Sequence, residues 1–372
     1  MFRRSVVEIN CAIILVLLLF IHIIGVTATA ATSDGVIDDQ GIDDPGIGDV
    51  SINDVVINGK NATEYLPLLE KTRQRVLPRD KALPMYVGEV ATGLFVVSDG
   101  VYQSAFLKTS EGVVVLDAPT RYGNKLPEII RRYIPDTPIT HLVYSHSHKD
   151  HIGGSQGFRN IDGLQVLAHE RVSQTLKDMQ VADVLMPSIT FAGEYRLELG
   201  QQVLLLKDHG NFHSSDADIF VYLPKQKFLY AVDIIEPGYV PFKALGFSAN
   251  IFRYKNIFAD ILAYDFTLFL AGHLDVLGNR QDVIDTRDYV NDLESISARL
   301  IRTVSPAMVF SAVFSALKSD ENKMLAYRYY LDEIARQCAE AVTMIWKDRL
   351  SGVDVWSKSH CEVMQGYLLM NG

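Results

Sequence analysis

Tyr144-Ser145-His146-Ser147-His148-Lys149-Asp150-His151-Ile152-Gly153-Gly154 places four potential metal ligands within six consecutive residues. The stretch before it, Ile139-Thr140-His141-Leu142-Val143-Tyr144, is β-branched and apolar enough to be a buried strand, and Gly153-Gly154 permits a tight exit of the chain. In an extended segment residues two apart point to the same side, so His146 and His148 can converge on one ion. The turn carrying Asp150 and His151 then addresses a neighbouring one. The ligands would sit on a strand-end loop, where active sites commonly lie. A polar loop without a metal is the bland alternative, and it leaves this density of His and Asp unexplained.

The pattern His-x-His-x-Asp-His resembles the signature of the metallo-β-lactamase superfamily, and the resemblance implies further ligands downstream in a fixed order. His213 lies in Gly210-Asn211-Phe212-His213-Ser214-Ser215-Asp216, which is similar to the family's Gly-x-x-His-x-x-Asp turn. Asp233 ends the strand-like Phe228-Leu229-Tyr230-Ala231-Val232-Asp233, and His273 follows the apolar run that ends in Leu270-Ala271-Gly272. The resemblance spans roughly Met85 to Gly278. It implies an α+β fold, the four-layer αββα sandwich, with one metal site at His146, His148 and His213. A second would use Asp150, His151 and His273, with Asp233 bridging the two ions.

Imidazoles and carboxylates suit zinc, so two zinc ions per chain are expected, although imidazole also suits iron and manganese. Two such ions can share a water, lower its pKa towards neutral and polarise a carbonyl or phosphoryl oxygen. Asp150 is the candidate catalytic residue, accepting a hydrogen bond from the hydroxide and passing the proton to the leaving group. The family's β-lactamases usually carry Cys or Ser where Asp233 stands, whereas its thioesterases, lactonases and phosphodiesterases typically carry Asp. Pro237-Gly238-Tyr239 is instead similar to the β-lactamases that use a second-site histidine. Because the ligand sets the charge and spacing of the metal pair, an ester, thioester or lactone carbonyl is the expected target. A β-lactam hydrolase and an iron-dependent redox enzyme on the same fold are the alternatives, though no flavodoxin-like Gly-rich segment follows. A silent binding protein would have no reason to keep all seven ligands.

The 372 residues can hold one large or two ordinary domains, and 48% hydrophobic content is ample for a core. Much of the net charge of −10 belongs to Asp34, Asp38, Asp39, Asp43, Asp44, Asp49 and Asp54, leaving about −4 from Lys60 onward. No basic stripe suited to a phosphate backbone is evident, so the expected partner is a small-molecule substrate and not nucleic acid.

Phe2-Arg3-Arg4, the apolar run Cys11 to Val26 and then Ala28-Thr29-Ala30 read as a secretory signal peptide over residues 1–30. The run is 16 residues and is broken by His22, short of the roughly 20 a membrane span needs, so no stable span is expected after cleavage. The expected location is secreted, periplasmic or in the secretory-pathway lumen. Residues 31–82 are grouped as an acidic, disordered segment, with Thr32 to about Gly59 having the Gly- and Asp-rich composition of a tether. Asn61-Ala62-Thr63 is an N-glycosylation sequon.

The catalytic domain is assigned to 83–280. Strand-like runs around Tyr86–Val90, Leu94–Val97, Tyr102–Leu107 and Val113–Leu116 precede a helix through Leu126, Ile129, Ile130 and Tyr133. After the motif, strands at Gln165–Ala168, Arg196–Leu199, Val203–Leu206, Ile219–Leu223 and Phe228–Val232 are expected, with a helix around Glu170–Met179. Residues 281–372 carry two apolar helical stripes, Tyr289 to Ile301 and Tyr327 to Ile345. This C-terminal helical extension is expected to pack on the core; a cap over the active-site mouth or a dimer surface is the functional alternative. Cys338 and Cys361 could form a bridge, or Cys338 could be a buried free thiol. His141, His169 and His209 are read as structural or supporting groups and not ligands, and His360 has no partner in view. The loop Pro237-Gly238-Tyr239-Val240-Pro241-Phe242 is expected to line the pocket mouth.

Overall fold

The computed structural model describes residues 56–57, 60–79 and 84–371. The expected signal peptide over residues 1–30 and most of the expected acidic tether lie outside the described residues. A short antiparallel pair, β1 (Val56–Ile57) and β2 (Lys60–Asn61), precedes the single turn α1 (Glu70–Arg73). Residues 60–79 fall inside the segment expected to be disordered, and here the expectation needs correcting. Thr72 is fully buried and its hydroxyl donates to the Gly238 carbonyl at 3.1 Å, while Arg75 forms paired bonds of 2.8 and 2.6 Å to Asp282. The composition that marks a tether ends near Gly59, and the Leu, Thr and Arg residues beyond it have surface to pack on.

Alternation of apolar residues builds the two sheets. The first runs in the order β3 (Tyr86–Ala91), β4 (Leu94–Ser98), β5 (Gln103–Lys108), β6 (Val113–Leu116), β7 (Ile139–Val143), β8 (Gln165–His169) and β9 (Ile189–Phe191). It is antiparallel to β6 and parallel from there on. The second runs β10 (Glu194–Leu199), β11 (Gln202–Asp208), β12 (Ile219–Leu223), β13 (Phe228–Tyr230) and β14 (Leu268–Leu270), with only the last pair parallel.

Successive side chains in a strand face opposite ways. Leu94, Val96, Val114 and Leu116 of the first sheet therefore meet Leu204, Leu206, Val221 and Leu223 of the second in one buried layer. Their sequence neighbours Val97, Val113 and Val115 turn outward onto α2 (Leu126–Tyr133) and α4 (Glu170–Asp178) through Ile129, Ile130, Val172 and Leu176. Between those helices, α3 (Lys149–Ile152) is the short turn that carries the motif. The outer face of the second sheet, Phe220, Leu229 and Phe269, packs on α5 (Ile251–Leu262) and on α6 (Arg280–Thr303). Each such fully buried side chain contributes roughly 1.5–3 kcal/mol relative to exposure. The result is a four-layer αββα sandwich, because each sheet has two apolar faces and both must be covered.

Three further helices complete the chain: α7 (Pro306–Leu317), α8 (Lys323–Trp346) and α9 (Val353–Asn371). Ile334, Cys338, Val342 and Trp346 of α8 and Cys361 and Met364 of α9 belong to the same core as the second sheet. Cys338 and Cys361 are joined as a disulfide that staples α8 to α9. Among the described residues no single helix is long and apolar enough to cross a membrane.

Candidate metal centre

Strand ends of both sheets meet at one edge. The Ile219 N–H donates to the Ser145 carbonyl at 3.1 Å and the Gln103 N–H to the Gly272 carbonyl at 2.7 Å, so the motif, the segment before β12 and the end of β14 are tied together. After β7 the chain bends through residues 145–147 to His148, which opens α3 with β-region dihedrals (φ −67°, ψ 132°) and hands Asp150 and His151 to the first helical turn. The buried Asp117 at the end of β6 anchors the motif. Its carboxylate accepts from the Ser145 N–H at 2.8 Å and from the Tyr230 hydroxyl at 2.7 Å. Asp233, three residues past β13, holds a left-handed φ of 62°, and Asp117 one of 60°, the kind of strain that concentrates at functional sites. Gly272 must be glycine: at φ 91° an added Cβ would lie 2.5 Å from Val232 and 3.0 Å from the His151 ring.

All seven residues singled out in the sequence converge. His146, His148, His213 and Asp233 form one group and Asp150, His151 and His273 a second, each with donor atoms within 4.8 Å of one another. Asp233 lies between them. Its Oδ2 is 3.4 Å from His146 Nε2, 3.0 Å from His213 Nε2 and 3.2 Å from His151 Nε2, while its Oδ1 is 2.9 Å from His273 Nε2. His148 Nδ1 is 2.9 Å from His213 Nε2, and His151 Nε2 is 3.1 Å from His273 Nε2. Asp150 Oδ2 lies 3.5 Å from His151 Nε2 and 3.6 Å from His273 Nε2.

These residues fit transition-metal ions. Ligand atoms about 2.0–2.1 Å from a tetrahedral ion are separated by roughly 3.3 Å, which falls within the spread of separations just given. His146 Nε2 and Asp233 Oδ1 are buried without a hydrogen bond of acceptable geometry, which is costly unless something else satisfies them. Two of the ring atoms that face away are held, His146 Nδ1 at 2.9 Å from the Ser145 hydroxyl and His273 Nδ1 at 3.3 Å from the Val101 carbonyl, whereas His151 Nδ1 and His213 Nδ1 are buried without a hydrogen-bond partner. Such outer partners fix which nitrogen is free to bind.

Electrostatics agree with the geometry. Burial works to raise the Asp233 carboxyl, but the His151, His213 and His273 rings outweigh it and hold it well below the ordinary carboxylate range. Burial pushes His146 well below the usual imidazole value, against Asp233, and lowers His148 with help from His213. Burial also opposes protonation of His213 and His273, yet Asp233 wins at both, raising His273 to about 9. An anionic carboxylate and neutral imidazoles are ligand forms, and the pull towards protonation at His213 and His273 marks a place that favours positive charge.

Residues 98–273 match the metallo-beta-lactamase superfamily. That stretch of the chain is of the superfamily's kind. The metal-ligand cluster lies within the matched residues. A curated relative, the 2,4-dinitroanisole O-demethylase subunit alpha of Nocardioides sp. (strain JS1661), is 26% identical over 201 residues, covering 50% of this chain and 57% of the relative. The chain thus spans less than two thirds of that relative's length. Among solved structures, the stereoselective inverting sec-alkylsulfatase from Pseudomonas sp. matches with a TM-score of 0.55 at 16% identity, covering 76% of this chain and 50% of the sulfatase, which shows the shared fold. A metallo-beta-lactamase from Pontibacter korlensis matches with a TM-score of 0.48 at 20% identity, covering 55% of this chain and 97% of that one.

A cavity of about 570 Å³ opens onto His148, Asp150, His213, Asp233 and His273. Tyr239, Val240 and Phe242 of the Pro237–Phe242 loop line it as expected. The C-terminal helices add a wall the sequence left open, for Ser351, Gly352, Val355 and Trp356 line it too. Phe242 packs at a tilt against Trp356 at 5.0 Å and edge-on against Phe247 at 5.7 Å between ring centroids. Residues 244–247 all have positive φ, a left-handed turn that turns Gly246 and Phe247 to the cavity; its Ala244 N–H donates to the Ser359 hydroxyl at 3.1 Å. His360, expected to lack a partner, is instead fully buried. It receives the Tyr289 hydroxyl at 2.8 Å on Nδ1 and donates from Nε2 to the Phe242 carbonyl at 2.9 Å, tying α9 to the pocket loop.

The remaining histidines stand outside the cluster. His141 contacts Thr140 at 3.0 Å, His169 caps α4 by accepting from the Arg171 N–H at 3.2 Å, and His209 meets the Tyr264 hydroxyl at 2.8 Å. Sequence reading missed Asp218. Its carboxylate accepts the His213 N–H at 2.9 Å and the Ser214 N–H at 3.0 Å, whereas the motif's Asp216 caps Ser214 and Ala217. An acidic residue five positions past a ligand was a signal for such a backbone clamp.

Proposed function

We propose that the chain is an exported hydrolase of an ester, thioester or lactone, using two zinc ions held by His146, His148 and His213 on one side and Asp150, His151 and His273 on the other. The observation that carries this reading is the position of Asp233 between the groups, with Oδ2 near His146 and His213 of the first and His151 of the second, and Oδ1 near His273 of the second. A carboxylate can bridge two cations where a serine hydroxyl does not do so readily. Zinc bound there supplies a nucleophile from water near neutral pH and polarises the carbonyl under attack. Asp150, 37% exposed at the pocket side, takes the proton of the nucleophile and delivers it to the leaving group. The aromatic walls exclude water and favour an apolar acyl or alkoxy part. In this reading residues 83–280 carry the chemistry and 281–372 complete the pocket wall.

Export is supported by the Cys338–Cys361 bridge, since disulfides persist in oxidising compartments, and by the signal-like N-terminus. Cleavage of an aryl alkyl ether is a second reading, favoured by the relation to the dinitroanisole O-demethylase subunit and by the aromatic pocket. Metal analysis of the purified mature protein, with a screen of esters, thioesters, lactones, lactams and aryl ethers, tests both. About two zinc ions per chain and turnover of a carbonyl ester class are expected. Iron in place of zinc, or lactam opening far faster than any ester, thioester or lactone, would overturn the first reading.

A further inference from the structure

Three residues beyond Asp233 the chain carries Glu236, 5% exposed and part of the cavity lining. Its Oε2 is buried and has no hydrogen-bond partner among the described residues. Nearby Tyr254 cannot serve it, because that hydroxyl donates to the Ile234 carbonyl at 2.5 Å. Tyr239 reaches only the Glu236 backbone carbonyl, through its N–H at 2.8 Å, which closes the turn beneath the pocket. Burial pushes the carboxyl up to about 7, with the His273 ring opposing. A buried acceptor without a donor is costly, whereas an apolar side chain of similar size in its place would cost little. A carboxyl kept at this point of a cavity is matched when the ligand brings the donor.

The other walls narrow what that ligand is. Val240, Phe242, Phe247, Val355 and Trp356 offer aliphatic and aromatic surface. We propose that Glu236 is a specificity-determining residue, receiving through Oε2 a hydroxyl, amide N–H or amine group on a substrate that is otherwise apolar. The inference deepens the hydrolase reading by naming a substrate feature, yet it concerns binding and can fail while that reading stands.

Aniline and toluene share a shape and differ by one donor group. Calorimetric titration of each into the metal-loaded wild type, E236Q and E236L, with metal content measured on every sample, tests the assignment. The wild type is expected to bind aniline at least about tenfold more tightly than toluene. E236L should bind the two equally or favour toluene. E236Q keeps a weaker acceptor oxygen, so its preference should fall to about threefold, and this variant carries the test if E236L does not fold. Equal binding by the wild type, no binding of aniline, a preference that survives unchanged in both variants, or loss of a metal ion on E236Q substitution would each overturn the proposal. Metal content and ester turnover of the wild type report separately on the hydrolase reading.

Discussion

Replacing Asp233 with Ser removes the group on which the two-ion reading turns. The carboxylate has three imidazole nitrogens within 3.0–3.4 Å of Oδ2 and a fourth 2.9 Å from Oδ1. Without it each half of the centre keeps three donors. Loss of an outer partner alone typically costs 10–100-fold in metal affinity, so loss of a direct ligand should cost at least about 100-fold, or about 2.7 kcal/mol. The second half should empty first, because Asp150 is 37% and His273 26% exposed while His146 and His213 are nearly closed off. After dialysis against buffered zinc, mass-spectrometric metal analysis should show a fall from near two ions to near one, with turnover of the best ester falling at least about 100-fold. Asp233→Asn is the control for backbone strain, since Asn also tolerates the left-handed φ of 62° yet cannot present two anionic oxygens. It should lose an ion as well. Two ions and wild-type turnover in D233S would show that Asp233 does not bridge.

Two further outcomes follow from the C-terminal wall. Cys361→Ser should lower stability by about 3 kcal/mol, since the bridge closes a loop of 23 residues, and should raise KM for apolar substrates while metal content holds; an unchanged melting temperature would count against it. His360 is held neutral in the folded chain, its value lowered to about 4 by burial, against about 6.5 unfolded. Between those values the unfolded chain binds the extra proton, so this contribution is complete above pH 6.5 and about 3 kcal/mol is lost by pH 4; denaturant titrations of His360→Gln should lack that part of the acid dependence.

What was legible in the sequence was local. The β-branched runs carried the strands because alternation is visible within five residues, and Val113 to Leu116 show both faces of the sandwich in one tetrapeptide. The seven site residues were legible because each sits in a loop or turn that follows a strand and carries its own short pattern. Helix α5 was missed although Tyr254, Ile257, Phe258 and Ile261 have helical spacing, so the signal was present and unread. Asp218 was passed over because the motif drew attention to Asp216.

The pocket wall was hidden for a different reason. Phe242 and Trp356 are 114 positions apart, and neither carries a pattern that names the other. Their meeting depends on His360, whose two ring nitrogens join α6 at Tyr289 to the loop at Phe242, and on the disulfide one residue further on. Each of these residues reads singly as core. Burial alone would account for an apolar stripe on α9, but a fully buried imidazole with both nitrogens occupied is costly to desolvate and returns nothing to packing that Leu would not supply. Its contribution is orientation: it fixes the loop carbonyl, and with it the Phe242 ring against Trp356. The helices beyond His273 therefore cover the second sheet and also set the shape of the cavity in front of the candidate ligands, so that shape depends on a segment outside the family's matched region.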